Sequence, residues 1–172
     1  MTAWRALVLA AAILPWTAAR ADTPRELLER YALEAAREQS AFSGFDAERG
    51  RSFYMQKHAV EGVGALSCSS CHRKDPRERI LRHRVEIPCR ACHVINDADH
   101  PAPKDAKKRV IEPFAPSANP NRFTEYGRVE DYFFTNCRML MRRECTAQEK
   151  GDLLTWLLSV EGGPVTPPSM RD

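Results

Sequence analysis

Two copies of one short motif, Cys68-Ser69-Ser70-Cys71-His72 and Cys89-Arg90-Ala91-Cys92-His93, constrain this 172-residue chain more than any other feature. Each C-x-x-C-H offers two thiols for thioether bonds to haem vinyl groups and an adjacent imidazole for one face of the iron. The bare cysteines also fit a C-x2-C-x(15–20)-C-x2-C zinc site. Zinc would take four thiolates and leave both histidines without a role. A thioredoxin-like redox pair would need a βαβ context, and no such pattern flanks either motif. The expectation is two covalently bound haem c groups, held by Cys68, Cys71, His72 and by Cys89, Cys92, His93. Only 20 positions lie between His72 and His93, so the two haems are expected to be neighbours.

An exported chain suits this chemistry. Met1 to Arg5 is short and positive, Ala6 to Ala19 is apolar, and Ala19-Arg20-Ala21 reads as a cleavage site, so residues 1–21 are expected to be a signal peptide. Its removal takes Arg5 and Arg20 and brings the net charge from +3 to about +1. That balance gives no sign of a nucleic-acid partner. Export to a periplasmic compartment places the six cysteines where thiols are paired, modified or metal-bound.

The rest of the mature chain reads as helical. Thr23 and Pro24 open a helix running through Glu38, with Leu27, Leu28, Tyr31 and Ala35 at helical spacing. A second helix is expected from Asp46 to about His58, ended by Gly62 and Gly64. Ser67 to Pro120 is proline-rich and lacks helical periodicity, a stretch too long to pack without an organiser. Helix resumes near Arg128 and runs to Asn136. Thr146-Ala147-Gln148-Glu149 is a capping box ahead of Leu153, Leu154, Trp156, Leu157 and Leu158. No strand pattern is evident. Cys137 and Cys145 remain, and in an exported protein a local disulfide is the default for such a pair.

The run Asp46 to Arg51 followed by Cys68 to His72 resembles the start of a class I cytochrome c. Ile111 to Pro120, Arg122-Phe123-Thr124, Asn136-Cys137 and Glu144 to Asp152 narrow the likeness to the sphaeroides haem protein family of small bacterial cytochromes c. The resemblance covers most of the mature chain. It implies an all-α, class I cytochrome c fold over residues 22–161, with 162–172 a flexible tail. It further implies that His72 is the proximal ligand of the first haem and that Asn136 ligates the other face in the ferric state, beside a disulfide of Cys137 with Cys145. In that family the asparagine leaves on reduction, and the iron then takes oxygen or nitric oxide. The residues alone leave other readings of this loop open: Asn136 as a helix cap, or Met139 or Met141 as the sixth ligand.

The family pattern has one haem, and here an insert of about residues 76–100 carries the second motif. Its distal ligand is expected from His83, then His100, then His58, or from a methionine. Six Lys/Arg between Arg73 and Arg84, with Lys104, Lys107, Lys108 and Arg109, suit either a solvated loop or docking to an acidic redox partner. The function expected is a periplasmic dihaem electron-transfer cytochrome whose His/Asn haem opens to bind oxygen or nitric oxide. Family analogy suggests membrane cytochrome b and other c-type cytochromes as partners. The alternatives are a closed electron carrier and a reductase of oxygen, peroxide or nitric oxide. No distal acid or base is evident for the last, so the chain is not expected to be an enzyme.

Overall fold

Helix α1, Pro24–Glu38, begins where the sequence places it. Thr23 caps it: the Glu26 N–H donates to the Thr23 hydroxyl at 3.2 Å, and the Thr23 N–H donates to the Glu26 carboxylate at 2.6 Å. The structure is a computed structural model that describes residues 21–79 and 111–163. Residues 1–20, 80–110 and 164–172, with most of the expected signal peptide, insert and tail, lie outside the described residues. Among those described, no helix is long and apolar enough to cross a membrane.

Helix α2, Ala47–Met55, starts at Asp46, whose carboxylate accepts the Arg49 N–H at 2.7 Å. It stops a turn earlier than its periodicity suggests. The chain instead forms a small antiparallel hairpin, β1 His58–Val60 and β2 Gly64–Leu66, with His58 opposite Leu66. Three-residue strands are too short to show alternation, which is why no strand is evident in the sequence. Gly62 and Gly64, at φ +72° and +110°, turn the chain between them. A single helical turn, α3 Cys68–His72, follows at once.

Two longer helices complete the fold: α4, Tyr126–Met141, and α5, Ala147–Ser159. Helix α4 runs beyond the expected Asn136, because Cys137 and Leu140 continue its buried stripe. It ends at Arg142 in the left-handed region, φ +59°. Helix α5 opens on the expected capping box, with the Thr146 N–H donating to the Glu149 carboxylate at 2.9 Å. It is buried on nearly all sides, because α1 and α2 both pack on it. Leu153, Leu154 and Leu157 are enclosed there, each worth about 1.5–3 kcal/mol of burial.

Three contacts set how these helices cross. A Cβ at Gly50 would overlap the Asp152 carbonyl, so α2 and α5 touch backbone to backbone. Asp152, 3% exposed, accepts from the Asp46 N–H at 2.7 Å, from the Arg49 Nε–H at 2.8 Å and from the Gln148 amide at 2.9 Å. A buried carboxylate is tolerated when its lone pairs are met in this way. On the other side, Glu130 of α4 accepts from the Tyr31 hydroxyl of α1 at 2.7 Å and pairs with Lys150 of α5. That one carboxylate ties three helices.

Gly50→Ala is expected to destabilise the protein by about 2 kcal/mol, because it overpacks a backbone contact. Thermal unfolding of the holoprotein reads this as a fall in Tm of roughly 5 °C. A second expectation concerns acid. Burial pushes the Glu149 carboxyl up, but hydrogen bonds from Arg143 and from the Thr146 N–H outweigh it and hold the group below its ordinary 4.5. The stability it contributes is present above that value and is lost as pH falls through the lower, folded-state value. Denaturant titrations below about pH 4.5 should therefore show a shallower acid loss in Glu149→Gln than in the parent chain.

Candidate haem site

The first C-x-x-C-H motif occupies the whole of α3. Its one turn is closed at the N-terminus by serines, with the Ser67 N–H donating to the Ser70 hydroxyl at 3.0 Å and the Ser70 N–H to the Ser67 carbonyl at 3.0 Å. At the other end Arg73 turns away with φ +67°. The buried Tyr54 hydroxyl of α2 donates to the Arg73 carbonyl at 2.7 Å. Rings continue the brace: Trp156 against Tyr54 at 4.8 Å, Tyr54 on Phe114 at 6.0 Å, and Phe114 on His72 at 4.5 Å and 17°. Phe114 is held in turn because its N–H and that of Ala115 both donate to the Pro76 carbonyl, at 2.6 and 3.0 Å. The imidazole is therefore oriented by stacking on a ring that is itself anchored.

Cys68, Cys71 and His72 line one side of a cavity of about 870 Å³. Helix α4 supplies another wall through Val129, Tyr132, Phe133, Asn136 and Leu140, whose spacing is one helical stripe. Met139 and Met141 also line it. Asn136 precedes Cys137, which is joined to Cys145 with Cα atoms 5.6 Å apart. That bond clamps the end of α4 to the start of α5.

The electrostatics of the cavity are asymmetric. Burial pushes the His72 imidazole down to about 4, and the Arg122 charge adds to the effect. The ring is thus neutral, the form that ligates a metal. Its Nδ1 is buried without a hydrogen-bond partner among the described residues. Burial lowers Arg122 as well. Its N–H groups donate to the carbonyls of Pro113 at 3.1 Å and Glu112 at 3.2 Å, and among the described residues no carboxylate pairs with it. Burial raises the Cys68 thiol to about 11, so it is protonated at neutral pH.

A haem c group fits these residues. The wall is largely apolar, a neutral imidazole adjoins two cysteines, and the Arg122 guanidinium, with no carboxylate partner among the described residues, lines the space where an acidic substituent is welcome. Cys68, Cys71 and His72 would hold the ring and its iron, and Arg122 would meet a propionate. Of the residues singled out in the sequence, Cys68, Cys71, His72, Asn136, Met139 and Met141 come together at one cavity. Cys89, Cys92, His93, His83 and His100 lie outside the described residues. His58, third of the histidines considered for the second haem, lines this cavity. Phe114 and Arg122 were not singled out for the site. Their only signal was membership in the runs that carried the family resemblance.

Comparison with known proteins agrees with this geometry. A family profile described as "Domain of unknown function (DUF1924)" matches residues 40–85 and 77–157. The chain is 31% identical over 153 residues to the cytochrome c-type protein SHP of Cereibacter sphaeroides, covering 89% of this chain and 96% of that one. The solved structure of oxidised SHP, described as an oxygen-binding cytochrome c, aligns with TM-score 0.57 at 30% identity, over 81% of this chain and 99% of that one. Oxidised cytochrome c'' from Methylophilus methylotrophus aligns with TM-score 0.61 over 81% of this chain and 96% of its own, and at 21% identity it shares the fold. With the first motif forming a haem cavity in a helical cytochrome c fold, and with that identity along nearly the full length of SHP, the chain belongs to the sphaeroides haem protein family of c-type cytochromes.

Proposed function

We propose that this chain is an exported, periplasmic dihaem cytochrome that transfers electrons and binds a diatomic ligand, oxygen or nitric oxide, at the first of its two haems. A bound haem c supplies an iron that changes oxidation state and whose sixth position can take a small ligand. His72 would ligate that iron as a neutral imidazole, and Cys68 and Cys71 would anchor the ring. Asn136 would be the second protein ligand. Its amide oxygen is a hard, neutral and weak donor, better matched to ferric than to ferrous iron, and would be displaceable in the reduced protein. The Cys137–Cys145 disulfide keeps the end of α4 in place beside it.

The observation that carries this reading is that His72 and Asn136 line the same cavity, one from α3 and the other from α4. Kinship with SHP, itself described as oxygen binding, adds support for a diatomic ligand. The second haem rests on Cys89, Cys92 and His93, with His83 ahead of His100 as its distal ligand. Membrane cytochrome b and other c-type cytochromes are the redox partners the family suggests, and the basic run from Arg73 to Arg84 suits docking to acidic ones. One observation favours a second reading: Met139 and Met141 also line the cavity, and a thioether that reached the iron would make a closed carrier.

Carbon monoxide added to the dithionite-reduced mature protein separates the two readings. The expected result is a shift in about half of the haem absorbance, because one of two irons is open. No shift would leave a closed carrier, and restored binding in Met139→Leu or Met141→Leu would name the ligand. Haem content tests the second group: a pyridine haemochrome assay should give two haems per chain, falling to one in the Cys89→Ala, Cys92→Ala double variant.

A further inference from the structure

We infer that His58 is a distal-side hydrogen-bond donor of the first haem, facing the ligand that enters when Asn136 leaves; this rests on the function proposed above. The hairpin carries the argument. In an antiparallel pair, directly opposed residues share a face, and side chains alternate along each strand. His58 is opposite Leu66 and two residues from Val60, so the three project to one side of the hairpin. Val60 and Leu66 are buried against Leu140 of α4, with Met139 and Met141 packed beside them. Asn136 stands one helical turn before Leu140 on the same stripe of α4. The face of the hairpin that carries His58 is thus applied to the helix that carries Asn136, and His58 itself lines the cavity.

The position is held from both ends. Leu66 is followed after one residue by Cys68, so β2 is joined almost directly to the haem-bearing turn. At the hairpin tip Arg142, just past the end of α4, donates to the Glu61 carboxylate at 3.2 Å. The His58 ring makes no hydrogen bond to another described residue, and it lines the cavity. A diatomic ligand on ferrous iron carries negative charge on its outer atom, and distal donors are a principal means by which a protein retains it. Of the other aromatic and aliphatic side chains lining this wall among the described residues, Tyr132 carries a donor, its hydroxyl, and that side chain is half exposed. The His58 imidazole stands on a short, anchored hairpin.

Carbon monoxide is the probe, used on the reduced holoprotein and on the His58→Leu and His58→Gln variants. A donor to the outer atom lowers the C–O stretching frequency. His58→Leu is therefore expected to raise the stretch, and His58→Gln, which keeps an N–H donor, to return most of that shift. A stretch unchanged in His58→Leu, or moved equally by both substitutions, overturns the inference while leaving ligand binding intact. Failure of the parent protein to bind carbon monoxide overturns both, because no ligand then enters for His58 to meet.

Discussion

The hydrogen bond from the Tyr54 hydroxyl to the Arg73 carbonyl is the point on which the site depends. Helix α3 is a single turn and has no stability of its own, since nucleating a helix fixes several residues for one hydrogen bond. Its orientation is borrowed from the helical core through Tyr54, which is fully enclosed between Trp156 and Phe114. Because Phe114 also stacks on His72, the backbone and the imidazole of the motif are referenced to the same few rings. Anything that shifts α2 against α5 is transmitted to His72 through them.

Charge is distributed so that each buried group either has a partner or faces the cavity. Asp152 and Glu130 are surrounded by donors and join helices far apart in sequence. Arg122 is different: among the described residues its N–H groups reach backbone carbonyls, and its charge adds to burial in lowering the basicity of His72. A cation that is costly to bury alone becomes favourable once an acidic group adjoins it. The residue whose charge adds to burial in keeping the imidazole neutral is thus suited to hold a propionate.

Much of this was legible in the chain because it is written in local chemistry. The capping boxes at Thr23 and Thr146, the proline at the start of α1 and the spacing of the first C-x-x-C-H each depend on residues within one helical turn of one another. The far end of α4 was underestimated by five residues, since no local stop signal lies between Asn136 and Arg142 and the continuation depends on burying Cys137 and Leu140. The hairpin was missed because three residues per strand carry no period. Arg122 and Phe114 gave no independent signal, because their roles come from proximity to His72, which is fifty and forty-two positions away.

By itself, then, the sequence determined the chemistry of attachment and the helical identity of the chain: cysteine spacing, caps and apolar stripes are short-range properties that hold in any surroundings. Tertiary structure decided which side chains share the cavity. It brought Asn136 and His58 to the cavity that the motif lines, and placed Arg122 beside His72 with no carboxylate partner among the described residues. These outcomes follow from the crossing of α2 and α5 at Gly50 and from the docking of the hairpin on α4, contacts between segments that no local pattern encodes.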